Sequence, residues 1–431
     1  MRDVYLIAGG MSRFAKARPE ATFQKMVKEA FDAAMAEVPD LKRDEIDGSV
    51  ASYFSDHFTR QLKAATMAQD YIGLCPKMSR RVEGGGATGG LCLQSAWEAV
   101  ASGRMDVCLA FGFETMSRVG TWKGNEFIAL ASDVNFDYPV GGFYTGYYAM
   151  MVVRHMKEFG TTPEQLAAVS VKNHTNAIHN PFAQLPAALT IEDVRAAPMV
   201  AWPLTRLDVC VMSDGAACCI LASEEAAKRY TDKLVKVTGL GCGTDTMRMA
   251  DRPRRKVPLL PHESEADYKD LQYPGIHSFR AGRTAAIQTY KMAGITNPVE
   301  QLDFVELHDA YTSSEIQTYE DLGLCKYGEG GRLAASGRTC MPSVHYKLKF
   351  PDPSRGGEIP VNPSGGLLAC GHPVGATGLM QAVFALWQLQ GTMKEHLGND
   401  RLQVPNARRG LIHSHAGTGT YITVTILERA F

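Results

Sequence analysis

Two short segments far apart in the chain are the same four residues, Gly86-Ala87-Thr88-Gly89 and Gly375-Ala376-Thr377-Gly378. The first is followed by Leu93, Ala96, Trp97 and Val100, the second by Met380, Val383, Phe384 and Trp387. Each set falls at i, i+3, i+4 and i+7, the stripe of an amphipathic helix. Each helix then stops at a glycine, Gly103 or Gly391, and a strand follows. A turn, a stripe and a stop repeated together predict two similar α/β halves that face each other, each presenting a helix N-terminus. Converging helix N-termini favour negative charge between them.

Around this repeat, short β-branched runs alternate with stretches of helical period, which predicts an α/β protein with helix-covered, mostly parallel sheets. Strands are expected at Val4 to Ala8, Val107 to Phe113, Ala217 to Leu221, Leu234 to Leu240, Asp303 to Leu307 and Tyr421 to Leu427. Residues 117–208 break the rhythm. They are rich in Tyr, Met, His and Pro, and read as an insertion that covers something. Residues 243–282 are irregular and carry the basic run Arg252-Pro253-Arg254-Arg255-Lys256, expected as an exposed loop or linker. The 45 Lys+Arg against 46 Asp+Glu exclude a polyanion-binding surface over the whole protein, so no nucleic-acid partner is expected. No apolar run approaches the roughly 20 residues that span a bilayer, and the start lacks a signal-peptide core; the expected setting is the cytoplasm, away from membranes. The ten cysteines contain no C-x-x-C pair, which argues against a zinc ribbon or a disulfide framework.

Three segments stand out chemically. Phe304-Val305-Glu306-Leu307-His308-Asp309-Ala310-Tyr311 places a polar pair just after a buried-looking strand, where active-site residues often emerge. Asn362-Pro363-Ser364-Gly365-Gly366 precedes Cys370-Gly371-His372-Pro373-Val374, a glycine-dense loop with an imidazole just before a helix. His413-Ser414-His415-Ala416-Gly417 lies before the last strand. A single histidine is more often an ordinary hydrogen-bonded residue than a ligand, but glycines on both sides let backbone amides approach a bound molecule closely. No carboxylate or thiolate stands at ligand spacing from His413 and His415, so no metal is expected.

At these residues the chain resembles the thiolase superfamily, especially its sterol-carrier-type branch with bacterial and archaeal relatives, over nearly the whole length. Val82 to Gly90 is similar to the family's nucleophile segment and Ala110 to Ser117 to its A-x-G-x-E-x-M-S strand. His308-Asp309-Ala310-Tyr311 is similar to an H-D-x-F motif, and Asn362 to Gly378 to N-P-x-G-G-x-x-x-x-G-H-P-x-G-A-T-G. The resemblance implies duplicated α/β halves in five α-β-α-β-α layers: residues 1–116 plus 209–250, a covering loop domain at 117–208, a linker at 251–281, and residues 282–431. It fails at one residue. Gly86 stands where the family has its nucleophilic cysteine, and no cysteine lies between Arg81 and Leu91. Cys370 is the remaining thiol inside a motif, with packing as its plainer role.

What the resemblance implies for the rest of the site is electrostatic. His308 would hold the thioester oxygen as an enolate develops, His372 would act as base, and the amides of Gly86 and the Ala416-Gly417 turn would form a second oxyanion site. The missing side chain would leave a hollow for a thiol from outside. The implied activity is C-acyl transfer on a β-ketoacyl-CoA by direct attack of CoA, without an acyl-cysteine. Two alternatives stand beside it: retro-aldol cleavage of a β-hydroxyacyl-CoA, and a non-catalytic subunit that binds CoA thioesters. Nucleophile-less aldolases of the superfamily tend to carry tyrosines where this chain keeps His308 and His372. Phe143, Tyr144, Tyr147 and Tyr148 would suit an aryl acyl group, as in the two-component benzoylsuccinyl-CoA thiolases of this branch. CoA is implied as co-substrate with no covalently bound cofactor, Arg252, Arg254, Arg255 and Lys256 as candidates for its phosphates, and the assembly as a homodimer joined by a small zinc-ribbon/OB-fold subunit.

Overall fold

A computed structural model describes every residue except 253–254, 269–271, 274–275 and 277. Its main sheet has nine strands: β1 (Val4–Met11), β2 (Gly48–Ser52), β3 (Met78–Val82), β4 (Val107–Thr115), β5 (Asp214–Ser223), β6 (Val235–Thr244), β7 (Phe304–Glu306), β8 (Arg409–Ala416) and β9 (Tyr421–Arg429). β1, β4 and β5 are buried from end to end. Strands covered on both faces have no polar side to alternate with, so they appear in the sequence as apolar runs.

The order is β7-β8-β9-β6-β1-β5-β4-β2-β3, and it contains the same pattern twice. In the N-terminal half β2 pairs parallel with β3 and β4, whereas β4–β5 and β5–β1 are antiparallel. In the C-terminal half β7 pairs parallel with β8, β8–β9 and β9–β6 are antiparallel, and Val361 bridges Val305 in parallel where a counterpart of β3 would lie. The two half-sheets join along a short antiparallel ladder, Tyr5 opposite Lys236 and Leu6 opposite Val235. Each half is therefore mixed and not mostly parallel as the sequence suggested. The turn at 417–420 is too short for the crossover that a parallel β8–β9 pair needs.

The main helices are α1 (Phe23–Glu37), α2 (Thr88–Ala101), α3 (Tyr144–Phe159), α4 (Pro163–Ala177), α5 (Arg280–Ala293), α6 (Thr312–Asp321) and α7 (Thr377–Gln390). The repeated motifs open α2 and α7, which are buried almost all round and touch each other. A Cβ on Gly378 would lie 2.2 Å from the Gly90 nitrogen and 2.6 Å from the Gly89 carbonyl carbon. The two helix starts meet backbone to backbone, and only glycine permits that approach.

α3 and α4 belong to the segment between β4 and β5. A capping box between Thr162 and Gln165, with Pro163 in the first turn, starts α4. The basic run behaves differently from an exposed loop: Arg252 is buried, its guanidinium on the Thr418 carbonyl and, at 2.9 Å, on Thr418 Oγ1. Arg255 and Lys256 are exposed, and Pro253 and Arg254 lie outside the described residues. Among the described residues no helix is long and apolar enough to cross a membrane.

Gly378→Ala should destabilise the protein by about 3 kcal/mol, at the upper end for overpacked sites, as read from urea unfolding. Gly120→Ala, where an added methyl meets nothing within 4 Å, should change stability by less than about 0.5 kcal/mol.

Candidate active site

The turn just before α2 supplies Gly86, the end of β7 leads into His308, the loop before α7 supplies His372, and the end of β8 supplies His413 and His415. A buried polar lattice holds the two motif loops together. Glu306 accepts hydrogen bonds from the Ser364 amide at 2.9 Å and its hydroxyl at 2.6 Å. Asp309 accepts from the Leu367 amide at 2.6 Å and from Asn173 Nδ2 at 2.7 Å. Glu315 of α6 accepts from Asn173 and Asn362, each at 2.8 Å, and pairs with Lys172 at 2.9 Å. Asn362 Oδ1 in turn accepts from the Leu307 amide at 2.8 Å. Lys172 and Asn173 are on α4, so the inserted segment fixes both loops. On the other side, buried Glu114 accepts from the Phe54 amide at 2.7 Å and the Gly375 amide at 3.1 Å, and burial pushes its carboxyl up to about 8.

Gly86, His308, His372, His415 and Gly417 border one cavity of about 90 Å³. The His308 ring meets His372 edge-on, with centroids 5.0 Å apart, and stacks on His415 at 5.4 Å. Thr377 Oγ1 lies 3.2 Å from His372 Nδ1 and 3.3 Å from the Val374 carbonyl. Donating to that carbonyl, the hydroxyl accepts from Nδ1–H and leaves Nε2 of His372 as a bare base. Burial brings His372 down to about 3 and His415 down to about 3. It also drives His308 and His413 well below the ordinary range, helped by the neighbouring imidazoles. The cluster is therefore neutral near pH 7: each ring can accept a hydrogen bond at one nitrogen and donate an N–H at the other without bringing a charge. No group of three or more His, Cys, Asp or Glu side chains among the described residues is arranged to hold a metal.

The hollow expected beside Gly86 is filled. A Cβ there would lie 2.3 Å from the His415 carbonyl oxygen and 3.1 Å from His308 Cε1, because β8 has closed onto the glycine backbone. The amides of Gly86 and Gly417 have no protein acceptor among the described residues, and both residues border the cavity. Ala416 does not border it; its carbonyl accepts from the Gly419 and Thr420 amides at 3.2 and 3.0 Å.

Cys370 is fully buried near Asn180, with its thiol pushed strongly up by burial, and does not reach the cavity. The thiol that does is Cys210, which burial pushes up to about 12, so it stays protonated. No motif in the sequence points to it. Of the four aromatic residues expected at the pocket, Tyr144 and Tyr148 line it, one helical turn apart on α3. Tyr147 packs edge-on against Tyr144 outside the lining, and Phe143 caps the helix, 43% exposed. The remaining walls include Phe54, Ile128, Tyr311 and Val374. Of the basic residues proposed for CoA phosphates, the described ones, Arg252, Arg255 and Lys256, do not border the cavity, and Lys256 lies 3.3 Å from Glu265.

Residues 4–225 match the family model described as Thiolase, N-terminal domain, and residues 264–429 the one described as Thiolase C-terminal domain-like. The chain is 37% identical to an acetyl-CoA acetyltransferase of Methanothermobacter thermautotrophicus, with 100% of each covered. It is 30% identical to the benzoylsuccinyl-CoA thiolase subunit BbsB of Thauera aromatica, covering 90% of this chain and 89% of that one. The Ltp2-ChsH2(DUF35) aldolase shares the fold with a TM-score of 0.76 at 22% identity, covering 99% of this chain and 98% of that one. Human mitochondrial 3-ketoacyl-CoA thiolase in complex with CoA shares it with a TM-score of 0.67 at 16% identity, covering 100% and 98%.

Because His372 and His415 are depressed in the folded state, the unfolded chain takes up their protons first as pH falls below about 6.5, and the stability tied to these rings declines from there downward. Histidine NMR should show neither imidazole titrating between pH 5.5 and 8. A midpoint near 6.5 for His372 would mean that burial does not hold it neutral.

Proposed function

The chain belongs to the thiolase family, and on that premise we propose that it makes or breaks the bond between the α and β carbons of an acyl-CoA without an acyl-enzyme intermediate. The observation that carries this reading is the pair His308 and His372, neutral and 5.0 Å apart across a cavity whose one lining thiol, Cys210, is held protonated. In the cleavage direction, the thiol of free CoA gives its proton to His372 Nε2, and its sulfur attacks the β-keto carbonyl. The oxygen that becomes an alkoxide is held by the amides of Gly86 and Gly417. As the carbon–carbon bond breaks, its electron pair passes into the thioester as an enolate, whose oxygen accepts from His308. The proton on His372 then returns to the enolate carbon. The products are a shortened acyl-CoA and the thioester released from the α carbon.

The filled space beside Gly86 favours a second reading, retro-aldol cleavage, because it leaves no extra room for an incoming sulfur. There His372 takes the proton of a β-hydroxyl, the bond breaks to release an aldehyde or ketone, and His308 holds the same enolate. No CoA is consumed. Flat aromatic walls from Phe54, Tyr144, Tyr148 and Tyr311 support an aryl or other flat apolar acyl group in either case. The naming of BbsB as a subunit supports a two-component assembly, here a homodimer carrying a small zinc-ribbon/OB-fold partner in the cytoplasm. Residues 117–208 act as its covering domain.

Intact-protein mass spectrometry during turnover, paired with titration of free CoA, tests the proposal. Direct thiolysis predicts no acyl adduct and product only when CoA is supplied; retro-aldol cleavage predicts product without CoA. An adduct on Cys210 or Cys370 would sink both. His372→Ala should lower turnover roughly 100 to 10,000-fold, and His308→Ala should lose on the order of 3 kcal/mol of transition-state stabilisation. Full activity in either variant would remove that residue from the reaction.

A further inference from the structure

Where α3 of the inserted segment meets the end of β8, three polar atoms form a closed triangle. The Tyr148 hydroxyl oxygen lies 2.7 Å from His415 Nε2 and 2.8 Å from the Gly417 carbonyl oxygen, and His415 Nε2 lies 3.1 Å from that same carbonyl. Tyr148 and His415 are 2% and 1% exposed, so no bulk water adjusts the arrangement. The proton count decides how it works. The phenol has one proton and the carbonyl none. Were Nε2 bare, one proton would serve all three contacts, and the Nε2 lone pair would face the carbonyl oxygen. With the proton on Nε2, the imidazole donates to Tyr148, Tyr148 donates to Gly417, and every close contact is attractive. His415 is then bare at Nδ1, which is buried and has no hydrogen-bond partner.

We propose that Tyr148 is a positioning residue that orients the Nε2–H of His415 and pins the Gly417 carbonyl, so that the free amide of Gly417 faces the cavity. The surroundings hold this unit from every side. The Tyr148 ring stacks on Tyr311 of the His308 motif at 4.1 Å, and Tyr311 reaches back to Thr145 of the same helix at 3.3 Å. The His415 ring stacks on His308 and meets Phe279 edge-on at 4.5 Å. The charged group facing it is the Arg252 guanidinium on the Thr418 carbonyl, which disfavours a second proton on His415. The inserted segment is in this way linked to the oxyanion turn by one hydroxyl. His415 presents a lone pair and no proton on its Nδ1 side, so oxyanion donation falls to His308 and the amides.

The effect on rate rests on the carbon–carbon chemistry proposed above; the hydrogen bond to His415 does not, and the test separates them. Tyr148→Phe keeps the ring stack and removes the hydroxyl. Histidine 15N NMR of the wild-type protein, with His415 assigned through His415→Gln, should show the Nε2–H tautomer; Tyr148→Phe leaves the Gly417 carbonyl as its acceptor, so the tautomer should stay and the Nε2 resonance should move. With an acyl-CoA substrate the same variant should lose kcat by roughly 10 to 100-fold, a cost typical of misplaced catalytic groups, with KM within about two-fold. Wild-type His415 protonated on Nδ1, or a variant with an unmoved Nε2 resonance and unchanged kcat, would overturn the inference. A wild-type protein inactive on every acyl-CoA tested would count against the proposed function, and the Nε2 resonance would still decide the role of Tyr148.

Discussion

The contact between the starts of α2 and α7 is the constraint from which the site follows. Gly89 and Gly90 lie against Gly378 with no side chain between them, so the two halves approach until main chain meets main chain. At that distance Gly86, just before α2, and His372, just before α7, border one cavity. A larger residue at the crossing would separate the helices and move the two walls apart. The glycines of the repeated motif thus serve geometry first, and the chemistry is arranged around it.

The second requirement is that buried charge be fully partnered. Lys172, Glu315, Asn173, Asn362 and Asp309 form a lattice in which donors and acceptors match, and α4 supplies two of its members. Such networks stiffen a structure when satisfied and are costly when one member is lost. The segment between β4 and β5 is accordingly part of the frame that holds the His308 and Asn362 loops. The imidazoles show the opposite use of burial: with no carboxylate beside them, they remain neutral and available.

Much of this was readable from residues alone, and the exceptions have physical causes. The apolar strands β1, β4, β5 and β9 and both repeated helices announce themselves by composition, and Gly86, His308 and His372, singled out by their motifs, border one cavity. β2, β3 and β8 do not, because Ser, Arg and His break the apolar run; His413 and His415 were therefore noticed as residues but not as part of a strand. The aromatic cluster was read as a unit, whereas helical geometry turns Tyr144 and Tyr148 to the same side and leaves Phe143 outside the helix. Arg252 looked like surface charge because its partner, Thr418, is distant in sequence. Cys210 and Phe54 carry no local signal; they reach the cavity only through long-range folding.

The closure of β8 onto Gly86 bears on how such a chain can change over evolutionary time. Placing a cysteine at position 86 needs more than one substitution, because a Cβ there would collide with a main-chain oxygen that no rotamer can move. The strand would have to retreat first, disturbing His415 and the turn behind it. The contact acts as a ratchet: with main chain filling this volume, descendants are more accessible through changes at the histidines and tyrosines than through a thiol at this position.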